Sequence, residues 1–469
     1  MIHFGTSGWR GIVGQDFTFR SVRLLLEATV SVLRQRGPIG EVIVSYDTRL
    51  LSEKFAREAV SVFTHHGIRT VLSDRDLPSP CVAFAVRERR ATLGVTFTAS
   101  HNPPEYNGVK LYTSEGAPAA RELLGAIERA AAGAQEGFYV PQRELGRTES
   151  LAEGYLAALE SGVDWEAIRA SGLKVAVDPL YGTSREFLDR VLLAHQVPTV
   201  SVHSTKDPYF GGYAPECTPT NLAGLRELVR TSGADLGLAT DGDADRFGIV
   251  NSACRSVSPS LAIALLTDYL VRRRGVRGGI ARTVGTSRLV DRIARAHSLE
   301  LLETPVGFYH LAQLMVAGKA AVALEESAGI GVNTHLPERD GIYAGLLVAE
   351  MAAVEGKSIP ELARALFDRY GTLLFRRTQL PWRERTRKAY ARLLSERHRS
   401  FVGRRVVRED RGDGLLMELE DGAWLLLRPA TTEPKLRLYV EATTSRDLHA
   451  LVRETRRLLR EHEEEDGHV

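Results

Sequence analysis

The sequence predicts an α/β protein: three similar α/β domains with mixed sheets, followed by a smaller C-terminal α+β domain. Strand-like and helix-like segments alternate through most of the 469 residues. The alternation runs through three successive rounds, as expected of repeated β-α units. After about residue 371 it gives way to a strand, a helix and a run of strands. The expected domains span residues 1–150, 151–255, 256–370 and 371–469.

In the first round, "EVIVSY" reads as a strand and "SEKFAREAVSVFTHHG" as a helix that Ser52 caps and Gly67 ends. Strand "RTVLSD", a short helix around Pro80 and strand "TLGVTFT" follow. The second round is strand "LKVAVD", helix "SREFLDRVLLAH", strand "TVSVHS" and strand "ADLGLAT". The third is "GIARTV", helix "SRLVDRIARAH", "LELLET", helix "FYHLAQLMVAG" and "AAVALEE". The last domain reads strand "TLLFRRTQL", helix "RTRKAYARLLSERH", then "RRVVRE", "GLLMELE", "AWLLLRP" and "LRLYVEA". A helix from Ser445 closes the chain, with Leu448, Val452, Leu458 and Leu459 near one face and a polar, frayed tail "EHEEEDGHV".

Hydrophobic residues make up 43% and charged residues 26% of the chain, ordinary for a soluble globular protein. The 61 basic and 59 acidic residues nearly cancel, which argues against nucleic-acid binding by bulk charge. Cys81, Cys217 and Cys254 form no Cys-x-x-Cys pair, so neither a zinc site nor a disulfide framework is expected. The N-terminus lacks the pattern of a signal peptide, and no apolar run reaches the ~20 residues that span a bilayer. A cytoplasmic enzyme without a membrane partner is expected.

The sharpest chemical signal is "DGDADR", where Asp241, Asp243 and Asp245 alternate in a turn between apolar strands. Carboxylates packed so closely repel unless a cation neutralises them. All-oxygen ligands favour magnesium or calcium. The EF-hand pattern fails, because its Gly and Glu positions hold Arg246 and Ser252. A solvated acidic turn is the bland alternative, weakened by the flanking apolar strands. In "FTASHNPPEYNG", Ser100 and His101 end a strand and two prolines stiffen the turn; Lys110, one of eight lysines, follows in "NGVKLY". A serine, a cation and a nearby metal suit phosphoryl transfer through the serine oxygen. Taken alone, the stretch reads equally well as an Asn-Pro turn.

"FGTSGWRG" near the start offers spaced glycines and Arg10 to an anion, and "RPATTEPKLRLY" offers Arg428, Thr431, Thr432, Lys435 and Arg437 as a phosphate clamp. A surface turn with stray basic residues is the alternative for both. In "LEESAGIG", Glu325 and Ser327 suit sugar hydroxyls, with a helix N-cap as the alternative; "ERDGIYAGLL" then starts a helix and adds Arg339 and Asp340.

In this order these motifs resemble the α-D-phosphohexomutases of the phosphoglucomutase/phosphomannomutase type, over nearly the whole chain. The resemblance implies four domains around a central cleft, each contributing one loop: phosphoserine, metal, sugar and phosphate. It implies that Ser100 carries the phosphoryl group and that Mg²⁺ sits on Asp241, Asp243 and Asp245, with Ser100 as a further ligand. It implies that Arg10, His101 and Lys110 neutralise charge and move protons, with Lys110 as a general base of lowered pKa, and that Arg246 lies near the transferring phosphoryl group. Glu325, Ser327 and Arg339 would bind the sugar, and Arg428, Thr431, Thr432 and Arg437 its distal phosphate. The implied reaction moves phosphate between O1 and O6 of a hexose, with glucose 1,6-bisphosphate or an analogous bisphosphate as activator, in a monomer or homodimer.

The chain departs from the pattern at four places. Ala430-Thr431-Thr432 replaces Ser-Gly-Thr in the phosphate loop. Tyr309 and Arg339 stand where a lysine is common, and Gly329 stands near a position that holds histidine in some relatives. The Glu-Glu-Ser form leans toward glucose phosphates. Phosphomannomutase and phosphoglucosamine mutase are the alternatives, and a catalytically weak phosphosugar-binding protein or a Mg²⁺-dependent phosphatase are those of another class.

Overall fold

A computed structural model describes residues 2–135, 139, 142, 144–430 and 435–465. Four sheets follow one another along the chain. The first has seven strands and spans Phe4–Gly5 to Gly146–Glu149. The second and third have four strands each, and the fourth has six.

The first three sheets share one construction. In the second, Val175–Asp178, Thr199–Ser201 and Leu236–Thr240 are parallel, and Phe247–Asn251 adds an antiparallel edge. In the third, Gly279–Thr283, Leu301–Thr304 and Ala320–Glu325 are parallel, with Gly329–Val332 antiparallel. In the first, Leu93–Phe97 runs parallel to Val42–Tyr46 and turns back antiparallel through Tyr106–Thr113. Each sheet is therefore mixed at the same topological point. The serine stretch, the aspartate turn and the Glu-Glu-Ser stretch all occupy that point, just beyond the carboxyl end of a parallel strand. Open α/β sheets bind ligands at strand carboxyl ends.

The inner parallel strands Val42–Tyr46, Leu93–Phe97, Leu236–Thr240 and Ala320–Glu325 are buried on both faces and so read as mostly apolar runs. One continuous core joins the first three domains through Ile43, Tyr155, Leu188, Leu266 and Leu346. At its centre lies the helix Gly341–Glu355, apolar nearly all round and buried accordingly. The fourth sheet is fully antiparallel, and Leu425, Leu438, Leu451 and Val452 pack it against its helices in a separate core.

Three local expectations need correction. Ser52 does not cap its helix; it is the first helical residue, and its hydroxyl donates to Asp47 Oδ1 at 2.7 Å. The helix expected from Ser184 begins only at Leu188, because Leu180, Tyr181 and Glu186 adopt left-handed φ in the preceding loop. The last helix runs on to Glu465, into the segment expected to fray. "FGTSGWRG" is a hairpin, Phe4–Gly5 against Gly8–Ile12, that extends the first sheet.

Candidate active site

The aspartate turn is held from three domains. Ser79 N–H and hydroxyl donate to Asp243 O at 2.9 Å and Asp243 Oδ2 at 2.5 Å. Thr183 N–H donates to Gly242 O, and Gly341 N–H to Ala244 O, both at 3.0 Å. Asp241, Asp243 and Asp245 are buried, and one oxygen from each lies within 4.8 Å of the others. Burial and the two neighbouring carboxylates push Asp241 up to about 8. Burial also raises Asp245, but Arg339, Lys110 and Arg246 outweigh it and hold that carboxyl below the usual range.

Asp243 Oδ1 and Asp245 Oδ1 are buried without a hydrogen-bond partner among the described residues. Such oxygens are costly unless a cation meets them, so the triad fits a hard divalent ion.

Ser100 sits at φ 53°, a left-handed conformation costing about 1–2 kcal/mol for a residue with a side chain. Its hydroxyl donates to Asp241 Oδ2 at 3.0 Å, so serine loop and aspartate turn meet directly. Gly242 permits this approach, since a Cβ there would lie 2.7 Å from Ser100 O. Ala244 and Ala328 adopt the same left-handed φ in the other two loops, at 60° and 63°.

Lys110 lies on the antiparallel strand that follows the serine loop. Its ammonium is 2.5 Å from Asp243 Oδ2 and 2.6 Å from Asp245 Oδ2. Burial alone would lower its pKa, yet the two aspartates override burial and raise it. The lowered pKa expected of a general base is therefore not present here, because the ammonium occupies the cationic position between two carboxylates.

Arg246 Nη1 donates to His101 Nδ1 at 2.9 Å. A guanidinium cannot accept, so Nδ1 is unprotonated and the imidazole is neutral. Burial, Arg246 and Arg10 also drive the His101 pKa well below its ordinary value. Arg10 Nη1 donates to Asn102 Oδ1 at 2.5 Å, tying the N-terminal hairpin to the serine loop.

Arg339 joins four motifs. It contacts Asp245 Oδ2 at 2.8 Å, Glu325 Oε2 at 2.9 Å, Glu338 Oε1 at 3.2 Å and Ser7 Oγ at 3.1 Å. Arg10, His101, Arg246, Glu325, Ser327, Arg339 and Arg437 line one cleft. Arg428 is not among its lining residues; its Nε is bound to Asp413 Oδ1 at 2.8 Å. Thr431 and Thr432 lie outside the described residues.

Sequence reasoning missed several residues. Arg377 and Glu326 line the same cleft, and Tyr439 OH of the fourth sheet donates to Glu326 Oε1 at 3.2 Å. Ser79 and Arg49 brace the aspartate and serine loops from behind. A findable signal for Arg49 was "YDTR", a charged pair straight after the apolar run "VIVSY".

Models of the phosphoglucomutase/phosphomannomutase family match four segments in order. The alpha/beta/alpha domains I, II and III match residues 1–137, 153–253 and 259–370, and the C-terminal domain matches 394–458. The chain belongs to this family. A phosphoglucomutase/phosphomannomutase of Thermococcus kodakarensis is 31% identical over 94% of both chains. A "probable phosphoglucosamine mutase" of Thermococcus gammatolerans is 32% identical over 98% of both. The crystal structure of a "putative phosphomannomutase" from Thermus thermophilus superimposes with a TM-score of 0.86 at 32% identity, covering 98% of this chain and 99% of that one. The protein is thus a phosphohexomutase-family isomerase with a sugar phosphate as its substrate class. Among the described residues, no helix is long and apolar enough to cross a membrane.

Proposed function

We propose that the protein interconverts hexose 1-phosphate and hexose 6-phosphate, with glucose phosphates preferred, through a phosphoryl group carried on Ser100. The observation that supports this best is the Ser100 hydroxyl 3.0 Å from Asp241 in a buried tri-aspartate turn, with the adjoining His101 and Arg246 lining a cleft rich in arginine. Asp241, Asp243 and Asp245 would hold Mg²⁺, with Ser100 as a further ligand; when bound, the ion supplies positive charge to the transferring phosphoryl oxygens.

The chain's own residues do the rest. A sugar hydroxyl attacks the phosphoserine phosphorus, the Ser100 Oγ–P bond breaks, and the hydroxyl proton leaves to a base. The resulting bisphosphate turns over and returns its other phosphoryl group to Ser100. Arg10 and Arg246 lie beside the serine loop and meet the phosphoryl charge. Neutral His101 takes a hydrogen bond from Arg246 and so orients it. Lys110 serves as base only when released from Asp243 and Asp245; held between them, it serves as a charge partner.

Glu325 and Ser327 accept sugar hydroxyls, and Arg339 fixes Glu325 by one oxygen. Arg437 and Arg377 meet the distal phosphate, a role in which Arg377 takes the place expected of Arg428. Glucose 1,6-bisphosphate is the proposed activator. The test offers glucose, mannose and glucosamine 1-phosphates separately, with Mg²⁺ and a trace of the bisphosphate. Glucose 1-phosphate should be isomerised fastest. Isomerisation of none above the Ser100→Ala background overturns the proposal.

A further inference from the structure

The serine loop has an unusual interior. Main-chain carbonyls of Ser100, Asn102, Pro103 and Tyr106 all converge on one guanidinium, that of Arg49. Arg49 Nη2 donates to Ser100 O at 2.5 Å and Asn102 O at 2.7 Å. Nη1 donates to Pro103 O at 2.7 Å and Tyr106 O at 3.0 Å. Nε donates to Asp47 Oδ2 at 3.1 Å. All five N–H groups of the side chain are spent inside the protein.

Converging carbonyls repel one another and, when buried, need donors. The loop cannot supply enough of its own, because Pro103 and Pro104 have no N–H. A single planar cation with forked donors meets the need; a lysine, with three donors on a point charge, does not.

Arg49 is itself fixed. Its side chain and that of Asp47 are wholly buried. Asp47 Oδ1 accepts from Arg49 N–H at 2.9 Å and from Ser52 at 2.7 Å. The guanidinium lies 4.9 Å from the ring centre of Phe210, a residue of the second domain. Thr98 Oγ1 accepts the Ser100 N–H at 2.9 Å, which pins the serine from its other side. In a trans peptide the N–H points opposite to the C=O, so drawing Ser100 O inward turns the His101 N–H away from Arg49.

We propose that Arg49 is a positioning residue for phosphoryl transfer: by gathering four carbonyls it holds Ser100 in its left-handed conformation, with Oγ presented to the aspartate turn. The inference rests on Ser100 being the phosphoryl carrier. Arg49 makes no hydrogen bond or ion pair with the triad; its donors go to the serine loop and Asp47, and the triad aspartates reach it only through their charge.

The test compares wild type, Arg49→Lys and Arg49→Ala in the full-length protein with Mg²⁺ and glucose 1-phosphate. Misplacing a reacting atom by ~1 Å costs on the order of 100-fold in rate, so kcat should fall by about that factor in Arg49→Lys while KM stays within about twofold. Guanidinium at non-denaturing concentration should restore part of the loss in Arg49→Ala, and sodium at equal ionic strength should not. Amide hydrogen exchange across residues 98–107 should quicken in Arg49→Lys, a readout that needs no activity and survives partial misfolding of Arg49→Ala. An unchanged kcat in Arg49→Lys, or exchange at the wild-type rate, overturns the inference. A wild type that takes no phosphoryl group on Ser100 overturns instead the reading on which it rests.

Discussion

Lys110 Nζ stands 2.5 Å from Asp243 Oδ2 and 2.6 Å from Asp245 Oδ2, so one ammonium already holds two of the three carboxylates proposed to bind a divalent ion. The two cations compete, and removing the ammonium removes both the competitor and its repulsion. Lys110→Met is expected to bind Mg²⁺ more tightly, by about tenfold, while losing isomerase activity. Calorimetric titration with Mg²⁺ in the absence of sugar measures this. Unchanged or weaker affinity would show that Lys110 does not compete with the metal for these two carboxylates.

Ser79 opens the helix Ser79–Glu88 and fixes Asp243 through both its N–H and its hydroxyl. Groups that orient metal ligands typically contribute 10–100-fold to metal affinity. Ser79→Ala should therefore weaken Mg²⁺ binding by about tenfold and leave KM for the sugar phosphate little changed at saturating metal. The same titration, with steady-state kinetics, checks both parts.

Gly329 and Arg339 form a coupled pair. A Cβ on Gly329 would lie 2.4 Å from Arg339 Cδ, 2.9 Å from its Cγ and 3.2 Å from Glu325 Oε2. Gly329→Ala should cost about 1–3 kcal/mol in stability with Arg339 present, because the guanidinium is pinned and cannot yield. In an Arg339→Ala background the same change should be nearly neutral. Thermal unfolding of the four proteins in the cycle reads the coupling, expected at about 1–3 kcal/mol. Additive effects would contradict it.

Glu303 of the third sheet clasps the fourth domain through Arg408 at 2.7 Å, and also binds Arg282 at 2.7 Å. Burial would raise its pKa, but Arg408, Arg282 and Arg288 hold it down at about 2, from an ordinary 4.5. A carboxyl with a depressed folded pKa contributes stability above its unfolded pKa and loses it as pH falls toward the folded value. Glu303→Gln should be less stable than wild type at pH 7, by about 1 kcal/mol given its partial exposure. That difference should shrink as pH drops from 4.5 toward 2. Melting temperatures of both proteins across this range provide the check.

The fold was legible where burial writes directly into composition. Strands such as Val42–Tyr46 and Leu236–Thr240 are covered on both faces and stand out as apolar runs. The short hairpin at Phe4–Ile12 was hidden because its glycines and polar residues read as a turn. Within the site, Asp241, Asp243, Asp245, Ser100 and Lys110 could be found because each belongs to a compact motif. "YDTR" marks Arg49 as a charge beside a buried strand, but spacing names no partner for it or for Ser79, since both act on loops far along the chain and Arg49 does so mainly through main-chain carbonyls. Arg428 reads as part of a phosphate clamp from its place beside basic residues, and spacing gives no sign that Asp413 holds its Nε.

Ser100 is the proposed carrier of the phosphoryl group in transit. Glucose 1,6-bisphosphate with radiolabelled phosphoryl groups and Mg²⁺ tests it in a single turnover, with the labelled residue located by peptide mapping. Label should appear on Ser100 and should move to the sugar, in bisphosphate form, when unlabelled glucose 6-phosphate is added. Label on another residue, no label at all, or release only as inorganic phosphate would contradict the account.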